Sequence, residues 1–427
     1  MPPGAGLTAA PPAGNTTRVR WLVLAYLFVF SFLTIVDRVA ISAAKVDMSL
    51  ELAIPDVTFG LVFGVFALGY ALFQVPSGWA ADRFGPRAFL ALIVLLWSLF
   101  TGLTGAVTAV TALIVIRFLF GAAEAGIYPT ASRAIYNWMP RQERGAAQGL
   151  IFVGSRLGAA FGLSVVSFAI ARFGWRASFW VLAAVGVLLA AGWYAWFRNH
   201  PANQRGVSAA ELAHITAGEA VAPAAALSAG HWTALVFSNN ALLLMAQYFA
   251  SNFTFFLAIS WLLPYLKSHY GLTALEAGVY ASIPLYCGAF GNWLSGTLVD
   301  AVYRRGRWRA SRLVPAQIGF ALGAVSLIAA ASMPTVLGAV ICFSLATLGV
   351  DMTLSPSWTS CQDVAGPRTG VLSGAMNMIG NLGSFVSSVT FPLLLQSTGS
   401  AAAYFYLAAG INLLAMLCWW RIRPDRN

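Results

Sequence analysis

The chain has 427 residues, 59% of them hydrophobic and only 9% charged, with a formal net charge of +11 at pH 7. Soluble domains carry about a quarter of their residues as charge, so solvent-exposed enzyme folds are excluded. The composition fits a polytopic membrane protein, whose repeated apolar runs of roughly 20 residues cross a hydrocarbon core about 30 Å thick.

In chain order, residues 1–17 are Pro-, Gly- and Ala-rich and uncharged, and read as a disordered tail rather than a secretory signal. An N-terminal bundle over 18–197 is expected to hold six spans, near 21–43, 57–80, 86–108, 110–132, 144–170 and 175–197. A polar central loop, 198–230, follows; in it Ser208-Ala-Ala-Glu211 has the form of a capping box for a short surface helix. A C-terminal bundle over 231–421 holds six more spans, near 239–263, 273–299, 312–331, 335–357, 369–395 and 402–421, before a short tail at 422–427. The expected fold is therefore an all-α membrane protein of twelve helices in two six-helix halves.

Arginine sets the orientation. Loops carrying Arg83, Arg87, Arg133, Arg141, Arg144, Arg198, Arg304, Arg305, Arg307 and Arg368 alternate with loops that hold only Lys45, Arg172, Arg176 and Lys267. The positive-inside rule makes the first set cytoplasmic, and both termini with it. The positive charge is thus a topology signal, and no nucleic-acid partner is read from it. The halves also repeat: GAAQGLIFVGSRLG (145–158) aligns with GVLSGAMNMIGNLG (370–383), and GWAADRFGPR (78–87) more loosely with GTLVDAVYRRGR (296–307). Such duplication fits the parallel-repeat transporter plan.

Once the loops are set aside, Asp37, Arg38, Arg117, Glu124, Arg156 and Asp351 remain at membrane depth. Each costs at least about 2.5 kcal/mol at a helix centre, so such groups face a cavity or one another. Structural ion pairing is the plainer account of all six. Arg117 and Glu124, seven residues apart, share a helix face two turns apart, too far for a direct pair. Tyr128, one turn beyond Glu124, either adds a hydroxyl to that face or simply packs. Asp37 and Arg38 point about 100° apart, so one is free to meet a ligand while the other meets a neighbouring helix. Arg156 has Asn381 as its repeat mate, which places a cation in one half opposite the amides Asn377 and Asn381 in the other. Arginine forks suit carboxylates, and amides suit hydroxyls, so the chemistry points to a small, oxygen-rich organic anion. Asp37 and Glu124 are the candidate proton sites. Asp351 is less defined, with capping of a helix broken at Pro356 as one role.

The stretch Gly78-x-x-x-Asp82-Arg83-x-Gly85-x-Arg87 resembles the inter-helix signature of the major facilitator superfamily, a conformational gate in which Asp and Arg latch helix ends. Within it, Asp37-Arg38, RFLFGAAEAGIYP (117–129), the ERG of 143–145, VSAAEL (207–212), WLLPYL (261–266), VDAVYRRGR (299–307) and SGAMNMIGNLG (373–383) resemble the anion:cation symporter family, which includes hexuronate, galactonate and glucarate transporters. That resemblance implies proton-coupled symport of a sugar acid at the inner membrane. It makes Asp37 and Glu124 the protonatable pair and Arg117 the carboxylate anchor, links Arg38 to that machinery, and adds hydrogen bonds from Tyr70 and Asn381. The departure is Arg156, where many sugar-acid members carry Gln; it favours a dicarboxylate or a shorter, more charged anion, or it pairs with Asp351 and leaves selectivity unchanged.

Uncoupled anion exchange, facilitated passage and a simpler mono- or dicarboxylate cargo are the alternatives within transport. No enzymatic set is present, because the four histidines (His200, His214, His231, His269) fall in loops or at helix ends. The four cysteines lack metal-ligand spacing, so neither metal nor cofactor is expected. The chain is expected to act as a monomer.

Overall fold

A computed structural model describes residues 16–216 and 232–423. The tail before residue 16, the later part of the central loop with His231, and residues 424–427 lie outside them. Among the described residues all regular structure is helical. The first half contains α1 (Val19–Glu51), α2 (Asp56–Phe84), α3 (Pro86–Ala106), α4 (Val110–Glu124), α5 (Ile127–Trp138), α6 (Arg144–Phe173) and α7 (Trp175–Trp196). The connection carries α8 (Ala209–Thr216) and α9 (Trp232–Val236). The second half contains α10 (Asn239–Phe256), α11 (Leu262–Tyr270), α12 (Ala274–Arg304), α13 (Trp308–Ala330), α14 (Val336–Met352), α15 (Leu354–Ala365), α16 (Thr369–Thr398) and α17 (Ala402–Arg421). Among the described residues, nine helices or unbroken runs of them are long and apolar enough to cross a membrane, ten if Arg141–Gly162 and Val165–Phe173, bent by 41°, count as one.

Besides that bend, three spans among the described residues are interrupted, each just before a proline. Proline lacks the N–H that would bond four residues back, and its ring crowds that carbonyl. Pro129 therefore separates α4 from α5 near Ala125, and Pro356 separates α14 from α15 at Thr353. The carbonyl that Pro356 frees, on Met352, accepts a hydrogen bond from Ser295 Oγ at 2.5 Å. Pro264 follows a π-helical turn over Leu257–Trp261 between α10 and α11. The expected ends at 132 and 357 fall short, since α5 runs on to Trp138 and α15 to Ala365. Those last turns are polar, which is why they read as loop. Yet Ser355, Ser357, Thr359, Ser360 and Gln362 are all buried, because they pack between the halves.

The predicted capping box is half formed. Ser208 Oγ accepts the Glu211 N–H at 3.2 Å, but the Glu211 carboxylate turns away to the start of α1. There it accepts from the Val19 and Arg20 N–H groups at 3.1 Å each, where the helix dipole favours an anion. The surface helix α8 is in this way anchored to the first span. A complete box stands elsewhere: Thr273 and Glu276 cap α12 reciprocally.

Candidate functional site

The charged residues singled out in the first half converge. Arg38 reaches from α1 to α4, its Nε 2.7 Å from Glu124 Oε2. Its guanidinium lies over the Tyr70 ring at 4.4 Å. Glu124 is wholly enclosed, whereas the Arg38 side chain keeps 24% exposure. The adjacent Asp37 points elsewhere, as its 100° offset requires, into a buried setting beside the Trp97 indole and within electrostatic reach of Glu124 and Arg117. Arg117 is 3% exposed and lies over Phe66 and Phe120, at 4.9 and 4.7 Å from the ring centroids. It makes no ion pair within 4 Å among the described residues, consistent with the two-turn spacing from Glu124.

This cluster is not self-satisfied. Among the described residues, both Asp37 oxygens, Glu124 Oε1, Arg38 Nη2 and Arg117 Nε are buried without a hydrogen-bond partner. So are both amide atoms of Gln74, on the helix that carries Tyr70. Sequence reasoning missed Gln74; its only signal was an amide in an otherwise apolar run. Buried polar atoms are paired nine times in ten or more, so these atoms depart from the general rule.

The second half supplies the opposite wall. Asn377 donates to the Tyr70 hydroxyl at 3.4 Å, a bond from α16 to α2. Asn381 turns inward on its own helix and donates to the Asn377 carbonyl at 2.8 Å. Tyr128 is a packing residue here, stacked on Phe152 at 5.6 Å and edge-on to Trp358 at 6.1 Å. Trp358 in turn donates its indole N–H to Tyr248 at 3.0 Å. Arg156 pairs with Asp351, so the capping role considered for Asp351 gives way: its carboxylate faces α6, and the break at Thr353 is left to Pro356 and Ser295.

At the arginine-rich face the halves are latched twice, by equivalent parts. Asp82 accepts from the Gly370 and Val371 N–H groups at 2.8 Å each, the first turn of α16. Asp300, from the looser repeat GTLVDAVYRRGR, accepts from Gly145 and Ala146 at 2.8 and 2.7 Å, the first turn of α6. Each carboxylate sits on the positive end of a helix from the other half. Gly78 and Gly370 let the backbones of α2 and α16 touch, since a Cβ on either would overlap the other's carbonyl oxygen. Gly85 has φ +79°, a left-handed turn into Pro86 that only glycine adopts without strain. Arg83 was expected to share the latch, but its guanidinium lies over Trp79 at 5.5 Å on its own helix. Arg87 also stays within its half, with its N–H on Asn199 Oδ1 at 2.8 Å. Farther along α6, Phe161 still meets Tyr286 of the other half edge-on at 6.5 Å, both rings exposed.

A helical membrane fold latched across one face, around a buried and unsatisfied cluster of paired charges, is the architecture of a transporter. The sequence matches the Major Facilitator Superfamily over residues 27–388, and the chain belongs to that family; it is a transporter and not an enzyme. It is 34% identical over 409 residues to a probable sulfoacetate transporter, SauU, of Cupriavidus necator, covering 94% of each chain. It is 30% identical over 409 residues to a probable galactarate/D-glucarate transporter, GudP, of Bacillus subtilis, covering 91% of this chain and 88% of that one. In fold it is similar to the proton:xylose symporter XylE, with a TM-score of 0.74 and 15% identity over 95% of this chain and 96% of that one.

Proposed function

We propose that the protein carries small organic anions bearing carboxylate or sulfonate groups across the bacterial inner membrane by proton-coupled symport. The observation that carries this reading is the Asp37–Arg38–Arg117–Glu124 cluster, two cations and two acids buried together with polar atoms left open. Arginine recognises planar oxyanions through paired N–H bonds. A buried carboxylate that loses its arginine must take up a proton or bear an unpaired charge in a low dielectric. Anion binding at Arg117 and Arg38 would therefore free Glu124 to bind a proton, with Asp37 the second site. Relatives named as transporters of sulfoacetate and of galactarate/D-glucarate support this class of cargo.

In the same reading the chain crosses the membrane twelve times with both termini cytoplasmic. Its two halves, 18–197 and 231–421, rock about the central site. The arginine-rich face is then the cytoplasmic one, closed by Asp82 and Asp300. A side chain at residue 78 should wedge that seam open: Gly78→Val is expected to raise cysteine labelling along α2 and α16 from the cytoplasmic side and to cut uptake more than tenfold. Unaltered labelling with normal uptake would count against the latch.

The direct test uses purified protein in vesicles with a pH dye inside. Adding sulfoacetate, glucarate, glucuronate or galactonate outside should acidify the lumen with at least one of them. Anion entry without acidification would remove proton coupling, and no entry of any would remove the cargo class.

A further inference from the structure

We propose that Arg156 is a second anion anchor, and that the preferred cargo is a dianion with an acidic group at each end; this rests on the organic-anion reading above. Arg156 on α6 meets Asp351 on α14 in a two-pronged pair, Nε to Oδ2 at 2.8 Å and Nη2 to Oδ1 at 2.5 Å, which joins the two halves at membrane depth.

The pair has the same construction as Arg38–Glu124. Glu124 is followed five residues later by Pro129, and Asp351 five residues later by Pro356. Each acid thus ends the first segment of a broken helix, and each is neutralised by an arginine from another helix. In each pair the acid is wholly enclosed while the arginine keeps some exposure, 24% for Arg38 and 11% for Arg156. The cation is thus the more accessible member of each pair. Tyr128, four residues after Glu124, stacks on Phe152 at 5.6 Å, and Phe152 lies four residues before Arg156 on α6.

A purely structural pair would not need this arrangement. Replacing a buried ion pair by apolar groups of similar volume is often neutral or stabilising, so bridging the halves does not by itself account for the charges. The surroundings are also shaped for the charged form. The Phe255 ring lies 3.7 Å from the Arg156 guanidinium carbon, and Gly288 leaves the space Asp351 Oδ2 occupies, which a Cβ would overlap. A monoanion would exchange with one of the two enclosed acids. A dianion would exchange with both, releasing Asp351 and with it a tie between the halves.

The test measures binding of sulfoacetate, glucarate and glucuronate to the purified full-length protein. Wild type should prefer the two dianions over the monoanion glucuronate. The double variant Arg156→Met/Asp351→Leu leaves no orphan charge and keeps the packed volume. Its dianion-to-monoanion selectivity should fall by roughly tenfold or more, about the worth of one charge-assisted bond. Arg156→Lys, which keeps the charge but not the fork, should recover only part of it. An unchanged selectivity ratio in the double variant overturns the proposal, as does equal loss of all three ligands in both variants, which would assign the pair to structure. Failure of wild type to bind any of the three overturns the organic-anion reading itself.

Discussion

Glu124→Gln in vesicles should still exchange anion for anion but should no longer concentrate it when the outside is made acidic. Glu124 has no exposure, one oxygen bonded to Arg38 and the other without a partner. Its charge is tolerated because Arg38 is 2.7 Å away. Once an incoming anion claims the Arg38 and Arg117 guanidinium groups, the carboxylate is left within electrostatic reach of Asp37. Two bare carboxylates in one low-dielectric site repel strongly, so the state that persists is the protonated one. Glutamine has the shape of that protonated acid and never ionises. The variant can pass through the substrate-bound state repeatedly, which is exchange, but it lacks the proton that Glu124 takes up on anion binding. It should also bind anion with less dependence on pH, since Arg38 has no acid to return to. Wild-type accumulation by Glu124→Gln would move the proton site elsewhere, with Asp37 the next to examine.

The class of fold and the depth of the charged residues were legible because both follow from hydropathy. A run of twenty apolar residues has few other uses, and a charge inside one has few tolerable surroundings. The seven-residue spacing of Arg117 and Glu124 correctly excluded a direct pair between them. What that spacing could not supply was the partner Glu124 takes, because Arg38 reaches it from a helix 86 residues away in sequence. The ends of α5 and α15 were misread for a related reason. Their Ser, Thr and Gln residues look like loop when burial is inferred from local polarity, but several of them bond to the facing half or to their own helix. Ser355 Oγ donates to the Gly145 carbonyl at 2.7 Å and Gln362 to Ser132 Oγ at 3.1 Å, bonds spanning more than 200 positions. The latch shows the same limit. Asp82 was visible in a motif with glycines at fixed spacing, whereas Asp300 sat in a degenerate copy whose meaning appears only when α12 is packed against α6. Arg156 was left with two roles open in the sequence. Its contact with Asp351 is now plain, and what displaces it is a question of ligand chemistry.

Arg117→Ala should abolish anion binding at every pH, and the reason lies in what the empty protein keeps there. A guanidinium at 3% exposure with its Nε unbonded has lost most of its hydration, a cost of several kcal/mol for an ion moved into protein. The rings of Phe66 and Phe120 return part of that, about 2 kcal/mol each in a desolvated setting. The nearest carboxylate on its own helix, Glu124, is already bonded to Arg38. The residue is therefore poorly compensated until a ligand arrives, and a bound carboxylate or sulfonate would supply the missing partner. Removing one member of a buried charge pair costs about 2–5 kcal/mol, roughly 30-fold to several-thousand-fold in affinity. Alanine offers no side-chain donor and nothing to titrate, so raising or lowering pH should not restore binding. Stability should move the other way. Arg117→Met fills much of the same volume without the charge, so the empty protein should melt at or above the wild-type temperature while the rise on adding anion disappears. Normal affinity in Arg117→Ala would refute the anchor. A large drop in the melting temperature of Arg117→Met would mean that the cation serves the fold, with Glu124 and Asp37 as its counter-charges.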